Sequence, residues 1–161
     1  MPKLYSNTSS DSLGFFYGRI TGLLGFTPCR HEGKITGLAA YSDPSIAKDL
    51  MKKMIIFNGS EILANLGDYY RPFYTNYSEV LKNEIAKFSR EEVAASAQEH
   101  LEYCLTSLVK HLFKKFKLKR MPLCLAGGVF GNVKLNQKLK ELECISEIFV
   151  QPQMGDGGLA V

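Results

Sequence analysis

A short apolar run that ends in a glycine pair is the feature that most constrains the fold of this chain. Residues 122–126 have the length and composition of a buried strand, and helical spacing begins directly after Gly127 and Gly128. A second short apolar run, at 148–150, follows this predicted helix. A strand, a helix and a strand within so few residues predict a right-handed parallel crossover. The expected fold class is therefore α/β, helix-rich with a small parallel-type sheet.

The glycine pair is a candidate phosphate site. Without a Cβ atom, Gly127 and Gly128 let the backbone adopt positive φ and let a ligand approach its N–H groups, while the predicted helix directs its positive end toward the same place. We expect Asn132 in the first turn of that helix, where its amide suits a ribose or a purine edge. The alternative is a strand-to-helix turn in which glycine serves only tight packing.

The most secure helix begins at Ser89, which forms a predicted capping box with Glu92. Apolar residues then recur at helical spacing as far as Phe116. A helix of about 27 residues would be roughly 40 Å long, so we expect it to be central and to lie against the strand at 123–126. Similar reasoning predicts a helix from Asp11-Ser12 to Gly25, another at 45–54, and a short strand at 55–57.

Composition sets broad limits on the function. At 161 residues with 45% hydrophobic and 22% charged residues, the chain has the size and composition of one globular domain. The four cysteines form no C-x-x-C pair, and Cys104 and Cys124 lie in apolar contexts that suit buried thiols. No leader or apolar run of about 18 residues is evident, so we expect a cytoplasmic protein without membrane contact. The lysines of 110–120 are interpreted as complementing a helix dipole, so no nucleic-acid partner is expected.

Three further segments carry candidate functional groups. Residues 26–41 are expected to form a loop that brings Glu32 and Lys34 together near glycines, with an exposed charged turn as the alternative. The aromatic segment 69–77 could stack on a base, but packing onto the core is favoured because only Arg71 interleaves it. Asp156 lies between glycines just after the predicted second strand, where it could cap a helix or ligate a metal.

Four motifs together resemble the O-carbamoyltransferases of the nodulation and antibiotic-tailoring type. The segment 31–41 resembles their E-G-K-x-x-G-L-A-x-Y signature, 125–136 their L-A-G-G-V-x-x-N-x-x-x-N, and 150–160 their V-x-P-x-x-G-D-x-G-x-A. Residues 11–17 also resemble an S-L-G-x-x-Y segment of that family. The resemblance covers nearly the whole of 1–161, apart from about 42–88, which is interpreted as a variable insertion within a single fragment of the nucleotide-binding domain.

The resemblance implies part of an actin-like, ribonuclease-H-like ATPase lobe, related to the threonylcarbamoyl-adenosine synthesis proteins. It also implies that carbamoyl phosphate and ATP yield a carbamoyl-adenylate, whose carbamoyl group passes to a hydroxyl of a small molecule or sugar. By matching positions, Gly127, Gly128 and Asn132 would contact the nucleotide, and Glu32 and Lys34 would face the ligand. Asp156 would bind a divalent metal, iron or magnesium.

The sequence also departs from the family pattern. No histidine pair precedes Ser12, where the family has its paired metal ligands, and Phe130-Gly131 stands where Ala-Leu is usual. We therefore expect a fragment that lacks one lobe of its parent chain and is inactive alone. The alternative function is a non-catalytic nucleotide-binding or scaffolding module of the actin-like superfamily. A sugar-kinase-like phosphoryl transferase is a third possibility, which would need a catalytic aspartate elsewhere.

Overall fold

The computed structural model describes residues 5–73 and 75–153, which form a helix-rich α/β domain. The helices are α1 (Leu13–Leu23), α2 (Glu32–Leu38), α3 (Lys48–Met54), α4 (Glu79–Ile85), α5 (Arg90–Lys115) and α6 (Val133–Lys140). The strands are β1 (Ile55–Phe57), β2 (Ile62–Ala64), β3 (Met121–Leu125) and β4 (Ile145–Val150). Three short 3₁₀ turns cover Ser9–Asp11, Ala39–Tyr41 and Gly128–Gly131.

The central element is α5, as the sequence predicts. The hydroxyl of Ser89 accepts a hydrogen bond from the N–H of Glu92 at 3.1 Å, and the Glu92 carboxylate accepts one from the N–H of Ser89 at 2.7 Å. These two bonds are the predicted capping box. The helix buries Leu101, Cys104 and Leu108 in the hydrophobic core.

The helix α5 is predicted to pack against β3, but its main packing partners are other elements. Its extensive contacts are with α1, α2, α3, α6, β1 and the 3₁₀ turn at Ala39–Tyr41, and it makes none of comparable extent with β3. The physical reason is that β3 presents little apolar surface to the core, since only Leu125 of this strand is buried. Helices therefore supply most of the surface that covers α5.

The four strands form two small sheets. The strands β1 and β2 pair antiparallel, with Ile55 opposite Ala64. The strands β3 and β4 pair parallel, with Leu125 opposite Val150, and α6 connects them. The predicted strand, helix and parallel strand are therefore confirmed.

The expectation that β3 is a buried strand is wrong. Pro122 and Cys124, which alternate onto one face of β3, are exposed, and so is Phe149, the neighbour of Cys124 on β4. Parallel strands are normally covered on both faces, but the described residues leave this face of the sheet exposed. Cys104 is buried as predicted, whereas Cys124 is not.

The helix α1 has the predicted boundaries. The Ser12 hydroxyl accepts a hydrogen bond from the N–H of Phe15 at 3.4 Å, and the chain leaves the helix through Gly25, whose φ is +80°. A left-handed residue just after a helix is a common helix terminator and favours glycine. The buried face of α1 includes Phe16 and Ile20.

The segment 26–41 is not the predicted loop, because most of it folds into α2 and a 3₁₀ turn. Gly33 and Gly37 weaken the helical signal in the sequence. One tertiary effect and one local effect outweigh the two glycines. Ile35 is fully buried in the core, and the Glu32 carboxylate accepts a hydrogen bond from the N–H of Cys29 at 2.6 Å. Glu32 and Lys34 therefore lie on a helix.

The segment 42–88 contributes to the same hydrophobic core as the rest of the chain. Its fully or nearly fully buried apolar residues are Ala47, Leu50, Met51, Met54, Ile55, Ile62, Tyr70, Leu81 and Ile85. The packing interpretation of the aromatic cluster holds for Tyr70, while Phe73 is 73% exposed. Tyr74 lies outside the described residues.

No helix in the described part of the chain is long and apolar enough to cross a membrane.

Candidate functional site

Four segments that are distant in sequence line one cavity of about 880 Å³. They are the start of α1, the region around α2, the glycine turn between β3 and α6, and the residues after β4. The lining residues are Ser12, Gly14, Phe15, Tyr17, Cys29, Glu32, Gly33, Thr36, Ala126, Gly127, Gly128, Val129, Gly131, Asn132, Gln151 and Gln153. Each segment corresponds to one of the four motifs identified in the sequence.

The glycine turn differs in one respect from the predicted geometry. The α-helix does not begin at the glycines, because the 3₁₀ turn Gly128–Gly131 intervenes and Asn132 is the N-cap of α6 rather than part of its first turn. Gly127 has φ +113° and ψ 152°, a conformation nearly restricted to glycine. Among the described residues, a Cβ atom added at Gly127 or Gly128 would meet no atom within 4 Å beyond its chain neighbours. The space beside this turn is therefore open in the described part of the chain, and ligand binding there stays a prediction.

Asn132 is 8% exposed and its side-chain amide is fully engaged. Its Oδ1 accepts hydrogen bonds from the N–H of Leu135 at 3.0 Å and from Nε2 of Gln98 at 3.2 Å. Its Nδ2 donates to Oε1 of Gln98 at 2.7 Å and to Oγ1 of Thr36 at 3.3 Å. An amide has two donor and two acceptor positions, so these four contacts use all of them. Asn132 borders the cavity, but its contacts hold the cavity wall together.

The network extends to Tyr17, which also lines the cavity. The Tyr17 hydroxyl donates to Oε1 of Gln98 at 2.6 Å and lies 3.1 Å from Oγ1 of Thr36. Gln98 in turn donates from Nε2 to the carboxylate of Glu102 at 2.7 Å. Burial raises the pKa of Tyr17 well above its ordinary value, so its hydroxyl keeps its proton at neutral pH.

Glu32 and Lys34 do not lie together at the cavity. Glu32 lines it, whereas Lys34 is not among the lining residues, and its Nζ lies 5.4 Å from the centroid of the Phe26 ring. Positions i and i+2 of an α-helix point about 200° apart, so the helical conformation of α2 separates the two side chains. Of the residues proposed from sequence, the structure brings together Gly127, Gly128, Asn132 and Glu32.

The charge at the cavity is negative. Glu32 is the charged residue of the lining, and no lysine or arginine of the described chain is part of it. The described residues contain no group of three or more His, Cys, Asp or Glu side chains arranged to hold a metal ion. The predicted metal ligand, Asp156, lies outside the described residues. The donors that the described lining offers to an anion are therefore uncharged: backbone N–H groups, the hydroxyl of Ser12 and the side-chain amides of Gln151 and Gln153.

The sequence reasoning missed Gln98 and Glu102, and it assigned no role to Tyr17 or Thr36. A usable signal did exist on α5: Gln98 and Glu102 are four residues apart on a helix face whose neighbours Ala94 and Leu101 are buried. A polar pair on a buried helix face requires partners, which lie elsewhere in the chain. Cys29 was also missed as a lining residue.

The fold and the cavity define an α/β domain with a ligand-sized site built from glycine-rich and polar segments. Residues 3–161 match the family described as Carbamoyltransferase N-terminus. The chain belongs to this carbamoyltransferase N-terminal family.

Curated relatives agree with this assignment. The chain is 34% identical to nodulation protein NolNO of Sinorhizobium fredii, across 94% of this chain and 22% of the relative. It is 34% identical to nodulation protein NolO of Bradyrhizobium diazoefficiens, across 99% and 29% of the two chains. It is 35% identical to an uncharacterized protein of Methanocaldococcus jannaschii, across 92% and 24%. The chain thus spans about a quarter of the length of these relatives.

Proposed function

We propose that this chain forms one part of the nucleotide site of a carbamoyltransferase. In this proposal the site binds ATP and a carbamoyl-adenylate derived from it and from carbamoyl phosphate, and the carbamoyl group passes to a hydroxyl of a small molecule or sugar. The observation that carries the proposal is the convergence of four separate motifs on one cavity. Membership of the carbamoyltransferase N-terminal family supports the class of reaction.

The cavity has a suitable size and chemistry for a nucleotide. Ligand sites of small molecules are typically about 300–1,000 Å³, and this cavity of about 880 Å³ is within that range. The open backbone at Gly127 and Gly128 would receive phosphate oxygens, because N–H groups at such turns bind anions. Phe15 and Val129 supply apolar surface for a base or a ribose face.

In the transfer step, the acceptor hydroxyl oxygen would bond to the carbamoyl carbon while the bond from that carbon to the adenylate oxygen breaks. The hydroxyl proton leaves to a base, and AMP carries away the electron pair. The role of this chain's residues is to bind and orient: the glycine turn holds the phosphate that becomes part of the leaving group. Glu32 fixes the turn before α2 through its hydrogen bond with the N–H of Cys29.

The rest of the site would come from other parts of the parent protein. The described residues offer no metal donor set. The proposed metal role of Asp156, and the identity of that ion as iron or magnesium, remain proposals about a residue outside the described ranges. We further propose that β3 and β4 belong to a larger actin-like lobe, which would cover the exposed face around Cys124 and Phe149. The isolated chain is accordingly proposed to be inactive.

The test compares Gly128→Ala with Gly37→Ala in the full-length protein. Among the described residues, a Cβ at either position meets no atom within 4 Å beyond its chain neighbours, but of the two glycines only Gly128 lines the cavity. We expect Gly128→Ala to weaken ATP binding at least tenfold and to reduce transfer of labelled carbamoyl from carbamoyl phosphate, while Gly37→Ala binds ATP like wild type. Absence of ATP binding by the wild-type protein would overturn the proposal.

A second candidate, a nucleotide-binding module without transfer chemistry, is favoured by one observation. The described lining has neither a cationic side chain nor a metal donor set to stabilise a transferring group. The two candidates differ in a direct measurement on the full-length protein. ATP binding without release of phosphate from carbamoyl phosphate, in the presence of metal ions and hydroxyl acceptors, would favour the module.

A further inference from the structure

The side chains of Tyr17, Gln98 and Asn132 form a hydrogen-bond network beside the cavity. Two neighbouring groups, the Glu102 carboxylate and the N–H of Leu135, determine which atoms of this network donate and which accept. The Glu102 carboxylate can only accept, so the amide nitrogen of Gln98 must face it and the amide oxygen must face the other way. The N–H of Leu135 can only donate, so Oδ1 of Asn132 must face it. The hydrogen-bonding chemistry of these two neighbours therefore determines the orientation of both buried amides.

These orientations decide where the protons of the two hydroxyl groups go. Oε1 of Gln98 accepts from Tyr17 at 2.6 Å, so the Tyr17 proton points toward α5 and away from the cavity. The hydroxyl of Thr36 has two acceptors for its single proton, the Tyr17 oxygen at 3.1 Å and the carbonyl of Glu32 at 3.4 Å. Both protons are thus used within the protein.

Only acceptor positions of these side chains then remain for a ligand. Tyr17, Thr36 and Glu32, one helical turn before Thr36, are lining residues of the cavity, and the unused hydrogen-bonding positions of their side-chain oxygens are acceptor positions. We call Tyr17, Glu32 and Thr36 the acceptor wall. A phosphate oxygen placed against this wall would meet only acceptors, whereas a hydroxyl or amino group would find partners.

We propose that Gln98 and Glu102 are positioning residues that orient the acceptor wall, and that this wall selects the hydrogen-bond donor end of the ligand. The inference rests on the proposed nucleotide site and deepens it: the phosphates lie at the glycine turn, and a ribose hydroxyl or the adenine amino group lies at the acceptor wall. Gln98 and Glu102 touch no ligand in this arrangement, because neither lines the cavity.

The decisive variant is Glu102→Gln in the full-length protein, with Glu99→Gln as its matched control. Both substitutions remove one carboxylate from α5, but Glu99 lies beside Lys48 at the surface, at 3.6 Å. An amide at position 102 both donates and accepts, so it no longer determines the orientation of Gln98. We expect Glu102→Gln to raise the Kd for ATP about three- to tenfold, as for one lost hydrogen bond, and Glu99→Gln to leave it unchanged.

Analogues of ATP distinguish the possible donor groups. We expect one of 2′-deoxy-ATP, 3′-deoxy-ATP or purine riboside triphosphate, which lacks the amino group, to bind the wild-type protein more weakly than ATP. Binding of that analogue should then be insensitive to Glu102→Gln, because its partner group is already absent. The inference would be overturned if Glu102→Gln weakened the binding of ATP and of all three analogues by the same factor. It would also be overturned if Glu102→Gln and Glu99→Gln bound ATP with the same Kd.

A measurement without ligand separates this inference from the proposed function. In the wild-type protein, NMR should find slow hydrogen exchange of the Gln98 and Asn132 side-chain amides, and Glu102→Gln should accelerate it at an unchanged melting temperature. Fast exchange in the wild-type protein would refute the positioning role even if ATP binds. Slow exchange together with no ATP binding would retain the positioning role, refute the ligand assignment and overturn the proposed function.

Discussion

The guanidinium carbon of Arg19 lies 4.2 Å from the centre of the Tyr70 ring, and both side chains are fully buried. Nitrogens of the guanidinium donate to the backbone carbonyls of Phe73 and Asn76, both at 3.0 Å, and to that of Arg71. A buried cation is costly unless hydrogen bonds replace its hydration. Burial lowers the pKa of Arg19, and the nearby Tyr70 opposes that shift. This one side chain therefore ties the aromatic segment to α1.

Arg19→Met should strongly destabilise the protein, because three backbone carbonyl groups lose their donor and the fully buried cation that ties the aromatic segment to α1 is removed. We expect a loss of about 3–5 kcal/mol in the free energy of unfolding, measured by chemical denaturation. The control is Arg90→Met, since Arg90 also lies over an aromatic ring, 4.3 Å from the centre of Phe26, but is exposed. Similar losses for the two variants would contradict the role assigned to Arg19.

Cysteine alkylation should report on the cavity and on burial in a single experiment. Cys29 and Cys124 are exposed, whereas Cys104 is buried, and burial raises its pKa to about 12. At pH 8 we expect both exposed thiols to react with iodoacetamide and Cys104 to react only after unfolding, because the thiolate is the reactive form.

Added ATP should protect Cys29, which lines the main cavity, and not Cys124, which borders the separate groove on β3 and β4. With ATP at ten times its Kd, the rate at Cys29 should fall about tenfold as measured by mass spectrometry. Equal protection of both cysteines would indicate a global effect of ATP instead of occupation of this cavity.

Stability should decrease in mild acid because of His100. This side chain is 3% exposed, and its Nε2 lies 2.7 Å from the carbonyl oxygen of Ile55. Burial lowers its pKa, so below about pH 6.5 the unfolded chain binds a proton that the folded chain does not. The contribution of neutral His100 to the free energy of unfolding is therefore fully present above that pH. Below it, the free energy of unfolding declines by up to about 1.4 kcal/mol per pH unit.

The measurement is the free energy of unfolding between pH 7.5 and pH 5, for wild type and His100→Gln. The decline should be smaller in His100→Gln. Parallel curves for the two proteins would assign the acid sensitivity to other groups.

The elements that local signals specify were predictable from the sequence. The capping box at Ser89, the spacing of apolar residues in α5, and Ser12 and Gly25 at the ends of α1 are all short-range features. The parallel pairing of β3 with β4 was also predictable, because a strand, a short helix and a strand leave few other topologies.

The helix α2 was not predictable, because its stability comes from burial of Ile35 and not from its glycine-containing sequence. The same limit applies to the site. Gly127, Gly128 and Glu32 are recognisable by residue type, whereas Gln98 gains its role from a hydrogen bond with Tyr17, 81 residues away in the chain. Long-range partners of buried polar groups depend on the tertiary structure.

The two glycines of the site should differ in their response to alanine. Gly127 has φ +113°, where an L-residue is strained, whereas Gly128 lies in a 3₁₀ turn without positive φ. Within the described part of the chain, neither position has an atom within 4 Å of an added Cβ beyond its chain neighbours, so steric contact there does not distinguish them. Gly127→Ala should therefore lose about 1–3 kcal/mol of stability from backbone strain, and Gly128→Ala should lose little.

Gly128→Ala should weaken ATP binding without lowering stability, whereas Gly127→Ala should lower both. In Gly128→Ala the added methyl group projects from the turn that lines the cavity, so ATP binding should weaken while the melting temperature stays within about 2 °C of wild type. Gly127→Ala should lower the melting temperature clearly, and a reduced affinity in that variant follows from displacement of the turn. Calorimetric melts and ATP titrations of both variants test this difference. Equal destabilisation of the two would refute the strain argument, because only Gly127 of the pair has positive φ.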